Sequence, residues 1–112
     1  MTTVEFVSDK NGTYKGIICM GHAGYARNVE PDILCAAISV LISSTMNALE
    51  ELAGESIEAT LNEETGFAKF DFSEDVPLRD NSIFMLDSLV FSLQNLSEEY
   101  GTEYLQVNFK EV

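Results

Sequence analysis

The stretch from Asp32 to Gly54 limits the possible folds more than any other part of this sequence, because it predicts one long and largely apolar helix. Asp32 is a good N-cap residue, and Pro31 before it cannot continue a helix backwards. Gly54 is a natural C-terminal stop. Apolar residues near helical spacing form its predicted buried stripe, namely Ala36, Val40, Leu41, Ala48 and Leu52, with Ala37, Ile38 and Ile42 widening the arc. A stripe this wide predicts a helix that is buried on more than one side.

Strand and helix signals around that helix follow a regular order. Strands are predicted over 4–7 and 14–20 on either side of Asn11-Gly12, the strongest short hairpin signal. Two more strands, over 57–61 and 67–72, flank a second turn. A second helix over 82–100, with Asp80 as a candidate cap and Gly101 as its end, precedes a last strand over 103–109. The apolar stripe of the second helix contains Leu86, Leu89, Val90, Leu93 and Leu96.

The resulting order, ββαββαβ, predicts an α+β fold with a largely antiparallel sheet packed with two long helices. A chain of 112 residues with 46% apolar residues is long enough for one domain with a core and too short for two, so we predict a single domain over 1–112.

Charge and composition restrict the partners and the compartment. The chain has 19 acidic and 6 basic residues and a net charge of -13. That excess disfavours direct nucleic-acid binding and favours a basic partner. We found no apolar run of roughly 18 residues and no signal-peptide pattern, so we expect no membrane association. Two cysteines without an export signal indicate unpaired thiols in the cytoplasm.

One cysteine and the single histidine form a candidate catalytic pair. Counting from Asp32 as N-cap places Cys35 at the third position of the helix, where the backbone N–H groups stabilise a thiolate. His22 follows a predicted strand and is within loop reach of the helix start, so it could accept and return a proton. Asp32 could also orient His22, and Ser39 lies one turn after Cys35 on the same face. A buried structural cysteine and an ordinary loop histidine are the alternative interpretation.

A metal site is a further alternative. Cys19, His22, Cys35 and Asp32 could supply four ligands, but the close cysteine spacing typical of structural zinc sites is missing. Cys19 is better explained as a small apolar residue inside a strand. A disulfide between Cys19 and Cys35 is not expected in the cytoplasm.

Two motifs carry a family resemblance. G-H-A-G-Y-A at 21–26 and D-I-L-C-A-A-I-S at 32–39 together resemble the ribosomal-processing cysteine protease (Prp) family. The resemblance is strongest over 20–50 and extends more loosely to the whole chain, including S-L-Q-N-L-S-E-E-Y at 92–100. The segment at 28–31, N-V-E-P, departs from the family pattern before the motif aspartate, which leaves the Cys/His pair intact and the choice of substrate open.

The resemblance implies a cytoplasmic cysteine endopeptidase that removes a short N-terminal extension from a basic protein of the bacterial large ribosomal subunit. It implies Cys35 as nucleophile and His22 as general base, with Gly21, Asp32 and Ser39 as supporting residues. It also implies a homodimer and no metal or organic cofactor. The alternative from another functional class is a non-catalytic acidic dimer that binds a basic ribosomal or assembly protein.

Overall fold

The fold is a five-stranded mixed sheet packed with two helices, in the predicted order ββαββαβ. It was determined as a computed structural model, and the structure describes residues 1–21 and 33–112. The elements are β1 Thr2–Ser8, β2 Tyr14–Gly21, α1 Ile33–Glu51, β3 Ile57–Asn62, β4 Phe67–Phe72, α2 Asp80–Tyr100 and β5 Leu105–Glu111.

The sheet order is β3-β4-β2-β1-β5. The pairing of β1 with β5 is parallel, and the other three pairings are antiparallel, so the prediction of a largely antiparallel sheet is confirmed. The β1–β2 turn forms as the Asn-Gly signal predicts. The carboxylate of Asp9 accepts hydrogen bonds from the amides of Asn11 and Thr13, and Gly12 supplies a positive φ of 82°.

One face of the sheet forms the core with both helices. Alternate strand residues such as Val4, Phe6 and Ile17 are fully buried, as expected for a sheet covered on one side. The buried stripe of α2 contains Leu86, Leu89 and Leu93, with Val90 and Leu96 packed at its border, which confirms the predicted stripe.

The predicted buried stripe of α1 was wrong for several of its residues. The buried residues are Leu34, Ile38, Ile42, Met46 and Leu49. By contrast, Val40 is 63% exposed and Leu52 is 84% exposed, and Ala36 also faces out. Because apolar residues occur on nearly every face of α1, their spacing alone could not identify the buried face. The first turn of α1, which contains Cys35, lies where the sequence predicted it, since the helix begins at Ile33.

The start of α2 also differs from the prediction. The helix begins at Asp80 rather than at Ser82, and its N-cap residue is Arg79, which makes no side-chain capping hydrogen bond. Instead, the Arg79 backbone amide donates to Glu55 at 3.0 Å and its guanidinium donates to the other Glu55 oxygen at 3.3 Å. Burial alone would raise the pKa of Glu55, but the nearby Ser82 hydroxyl, the Arg79 amide and the guanidinium charge together lower it.

Helix α1 is long and apolar enough to cross a bilayer by length and composition. The same composition is typical of core helices in soluble proteins, and α1 contributes Leu34, Ile38 and Leu49 to the core. The helix is therefore weak evidence for a membrane segment.

The helices leave β3 largely uncovered. Ala59 and Leu61 project from the helix side of the sheet, as their register with Phe70 and Ala68 shows, yet both are exposed. This exposed part of the sheet lies beside α1 and provides one wall of the candidate site.

Candidate active site

A cavity of about 420 Å³ lies beside the first half of α1. Its walls come from three places that are far apart in sequence: α1, the ends of β1 and β2, and the β3–β4 hairpin. Most of the lining side chains are apolar, including Ile38, Leu61 and Phe70, and a few polar groups lie among them. An apolar pocket with a few polar groups is the usual form of a binding or active site.

Cys35 lies in the wall of this cavity. It is the third residue of α1 and is half-buried, which confirms the placement predicted from the sequence. The first backbone N–H groups of a helix have no partner within the helix and carry a partial positive charge. The described helix has no acidic side chain in its first turn to oppose that charge. This position can therefore stabilise a thiolate and, later, an oxyanion.

Cys19 differs from Cys35 in its surroundings. It lies within β2 opposite Val4 and Ala68, is 8% exposed, and belongs to the hydrophobic core. Burial raises the pKa of Cys19 to about 12, so this thiol stays protonated at neutral pH. The prediction that Cys19 acts as a small apolar residue is confirmed. The two cysteines are not joined in a disulfide.

Gly21 and Ser39 are the two supporting residues that the structure describes. Gly21 ends β2 with a φ of 86°, and a side chain there would overlap the carbonyl oxygen of Met1, so the position requires glycine. Its amide also donates to the carbonyl of Gly66 at 3.1 Å, which ties β2 to the β3–β4 turn. Ser39 is exposed one turn after Cys35, and both residues line the cavity.

His22 and Asp32 lie outside the described residues. The distance from Cys35 to His22, the capping of α1 by Asp32 and the four-ligand metal set therefore stay predictions. Within residues 1–21 and 33–112, no group of three or more histidine, cysteine or acidic side chains could hold a metal ion.

The other walls of the site were not predicted from the sequence. Leu61, Ala68 and Phe70 reach the cavity because β4 pairs with β2, which is more than 40 residues earlier in the chain. Thr2 reaches it because β1 pairs with the end of β2. The alternation of Ile57, Ala59 and Leu61 along β3 was an available signal for an apolar face, but it could not indicate what that face would meet.

The model of the cysteine protease Prp family matches residues 1–106. The chain belongs to the Prp family. The ribosomal processing cysteine protease Prp of Bacillus subtilis (strain 168) is 28% identical over 91 residues, which span 77% of this chain and 80% of that protein. The protein of the same name from Staphylococcus aureus (strain Mu50 / ATCC 700699) is 27% identical over 110 residues, which span 98% of this chain and all of that protein.

The fold agrees with a solved Prp structure. The crystal structure of Prp from S. aureus in complex with a covalently linked product peptide superimposes with a TM-score of 0.86. It is 26% identical in sequence, and the match covers 98% of this chain and 100% of that one. Membership of the family confirms the resemblance found in the sequence motifs and makes this chain a cysteine protease by family.

Proposed function

We propose that this protein is a cysteine endopeptidase that removes a short N-terminal extension from a basic protein of the bacterial large ribosomal subunit. The observation that carries this proposal is the position of Cys35, in the first turn of α1 and in the wall of a largely apolar cavity. The names of the relatives from B. subtilis and S. aureus, both ribosomal processing cysteine proteases, support the ribosomal substrate.

In the proposed mechanism, His22 takes the proton from the Cys35 thiol. The sulfur then attacks the scissile carbonyl carbon, and the first-turn amides of α1 stabilise the oxyanion. The C–N bond breaks as His22 returns the proton to the leaving amine, which is the new N-terminus of the ribosomal protein. Water then hydrolyses the thioester, so the extension leaves as a carboxylic acid and the thiol is restored. The covalently linked product peptide in the S. aureus relative is consistent with this chemistry.

Three further residues support the pair in this proposal. Gly21 holds the end of β2 in a conformation that only glycine adopts easily, immediately before His22. Ser39 contributes a hydroxyl to the same cavity as Cys35. Asp32 caps α1 or orients His22. The reaction needs no metal or organic cofactor.

The substrate, the partners and the compartment follow from charge and chemistry. A net charge of -13 attracts a basic ribosomal protein and repels nucleic acid, so we propose a direct protein substrate without nucleic-acid binding. Glu63 at the cavity adds negative charge near the site. We place the enzyme in the cytoplasm, where both thiols stay reduced, and away from the membrane.

We also propose that the enzyme is a homodimer that associates through α2. Phe84 and Phe91 are seven residues apart, so they lie on the same face of this helix, and they are 74% and 66% exposed. Two exposed phenylalanines on one helix face are typical of an interface rather than of a free surface.

The dyad is tested by cleavage of a large-subunit ribosomal-protein precursor, measured by mass spectrometry for Cys35→Ala, His22→Ala and the double variant. If the two residues act as a unit, each single variant loses nearly all activity and the double variant is no worse than either one. Cys19→Ala is the matched control and should cleave at close to the wild-type rate. A Cys35→Ala protein that cleaves at the wild-type rate contradicts the proposal.

The same exposed α2 face and the acidic charge also favour a second function, a non-catalytic dimer that binds a basic ribosomal or assembly protein. This alternative predicts that Cys35→Ala leaves partner binding and the cellular role intact. Complementation of a deletion strain by Cys35→Ala separates the two, because only the binding function survives that change.

A further inference from the structure

Strand β5 forms one outer edge of the sheet. It pairs with β1 on its inner side, and among residues 1–21 and 33–112 no strand pairs with it on the outer side. Its register with β1 is unbroken over all seven residues, Leu105–Glu111, and the strand contains no proline. Prolines, bulges and short length are common means by which proteins protect an edge from further pairing. Because β5 has none of them, its edge is open to another strand.

The hydrogen bonds to β1 show which backbone groups lie on this open edge. The amide of Thr2 donates to the carbonyl of Tyr104, and the amide of Val112 donates to the carbonyl of Ser8, both at 2.9 Å. Alternate residues of a strand direct their N–H and C=O groups to opposite sides, so the even-numbered residues of β5 bond to β1. The N–H and C=O groups of the odd-numbered residues from 107 to 111 therefore face outwards.

An aromatic ring and a groove lie beside this edge. Phe109 is 59% exposed, and its ring stacks on the buried ring of Phe6 with a centroid distance of 5.9 Å, which holds it in place. A groove of about 440 Å³ lies between α2 and β5, and its walls include Gln94, Glu98 and Val107. An added strand thus gains apolar contact as well as backbone partners, the usual combination in recognition by strand addition.

The elements around β5 are strongly acidic. β1, α2 and residues 101–112 together contain one basic residue, Lys110, and seven acidic residues, namely Glu5, Asp80, Asp87, Glu98, Glu99, Glu103 and Glu111. Of these, Glu98 lines the groove and Glu111 lies in the strand itself. Such a charge distribution attracts a cationic segment. The occupant that fits this edge is therefore a basic peptide segment in an extended conformation.

The edge is separate from the Cys35 cavity but lies within reach of the same substrate. None of the residues that line the groove lines the cavity, whose nearest wall is Thr2 on β1. Neighbouring strands are about 4.8 Å apart, so a strand added outside β5 would lie about 10 Å from β1. About three extended residues span that distance. One polypeptide can therefore contact both places.

We propose that the outer edge of β5 is a second substrate-binding site, where a basic, extended segment of the ribosomal protein adds to the sheet as a further strand. The site binds the substrate away from the cleaved bond, so it favours the whole precursor over a short peptide. This inference rests on the proposed protease function and adds a binding surface to it.

The test compares the whole ribosomal-protein precursor with a short peptide that spans only the cleavage site. Glu98→Lys/Glu111→Lys should lower the precursor-to-peptide ratio of kcat/KM by about 10-fold, a few-fold for each reversed charge. The matched control, Glu74→Lys/Asp75→Lys, makes the same change in net charge at exposed positions beside β3 and β4, and should lower the ratio by less than about 2-fold. Equal reductions by both double variants would indicate a general effect of net charge and overturn the assignment.

A second pair of variants tests the backbone pairing itself. Phe109→Ala and Phe109→Pro both remove the ring, but only proline also removes the outward-facing N–H, and an edge strand tolerates proline at such a position. The precursor-to-peptide ratio should fall about 5-fold further in Phe109→Pro than in Phe109→Ala, the effect of one hydrogen bond. A general loss of structure lowers both rates and does not change their ratio. Equal ratios in the two variants overturn strand addition.

Hydrogen exchange of the Cys35→Ala protein, resolved by NMR, supplies a readout that needs no catalysis. The precursor should slow the exchange of the amides of Val107, Phe109 and Glu111. Protection that is present without the precursor and rises with enzyme concentration means that a second copy occupies β5, which overturns the proposal. Cleavage of both substrates with an unchanged ratio in every β5 variant also overturns it and leaves the protease function standing. If wild type cleaves neither substrate, the protease function fails, and this inference fails with it.

Discussion

The reactions of Cys19 and Cys35 with iodoacetamide should differ strongly. Both cysteines line the cavity, but Cys19 is only 8% exposed in the core beside Val4 and Ala68, whereas Cys35 is half-buried in the first turn of α1. Because the thiolate is the reacting species, both the acidity and the accessibility of each thiol determine its rate.

The structure allows the expected difference to be estimated from Cys19. With its pKa raised to about 12, this thiol is ionised only to about 3 × 10⁻⁵ at pH 7.5, whereas an ordinary thiol is ionised to about one tenth. The difference in ionised fraction alone would make an ordinary thiol react about 3,000-fold faster than Cys19. The thiolate of a more basic thiol is the stronger nucleophile, which reduces this advantage by a factor of about 25 to 60. An accessible ordinary thiol should therefore react about 50- to 120-fold faster than Cys19, before the burial of Cys19 is considered, and we expect the labelling of Cys35 to precede that of Cys19.

Mass spectrometry of tryptic peptides, sampled over time at pH 7.5, measures both rates in one reaction. The single-thiol variants Cys19→Ala and Cys35→Ala serve as controls, and the fast phase should persist in the first and disappear in the second. Equal rates for Cys19 and Cys35 in the folded wild-type protein would refute the assignment of a buried Cys19 and an accessible, reactive Cys35.

Three further predictions concern stability and assembly. Gly21→Ala should lower the free energy of unfolding, measured by urea denaturation, by about 3 kcal/mol or more, because it combines backbone strain with a steric overlap. Gly12→Ala is the control, since Gly12 has a similar φ but open space around it, and it should lower the free energy of unfolding by only about 1–2 kcal/mol. The pKa of Glu55 is lower in the folded protein than its ordinary value of 4.5, so its ionised form adds stability that is present above that pH and is lost as the pH falls below it. Urea denaturation from pH 7 to pH 3 should therefore show a shallower loss of stability for Glu55→Gln than for wild type, and parallel curves would contradict this explanation. Phe84→Asp should shift the protein towards monomer in sedimentation velocity, whereas Leu52→Asp, an equally exposed position outside α2, should not, and an unchanged Phe84→Asp dimer would exclude this face.

The features of the site that depend on local sequence were predictable. Pro31 and Asp32 predict a helix that starts at the next residue, which makes Cys35 the third residue of α1. The need for glycine at position 21 follows from its place at the end of a strand. Both signals act over a few residues, where backbone propensities and capping rules are strong.

The features that depend on long-range pairing were not predictable. The cavity wall from Ala68 and Phe70 exists because β4 pairs with β2, and nothing in the local sequence specifies that neighbour. The buried face of α1 was misassigned for a related reason. Val40 is as apolar as its buried neighbours, and only the position of the sheet decides that Ile38 and Ile42 are covered while Val40 is exposed.

The central claim, that Cys35 is the nucleophile of peptide cleavage, is tested most directly with an electrophilic substrate analogue. A peptide that ends at the cleavage site in a chloromethyl ketone should inactivate the enzyme with one adduct per chain. We predict that this adduct is on Cys35, with activity lost in proportion to labelling and with no adduct formed on the Cys35→Ala protein. Full inactivation with Cys35 unmodified, or a Cys35 adduct that leaves activity intact, would contradict it.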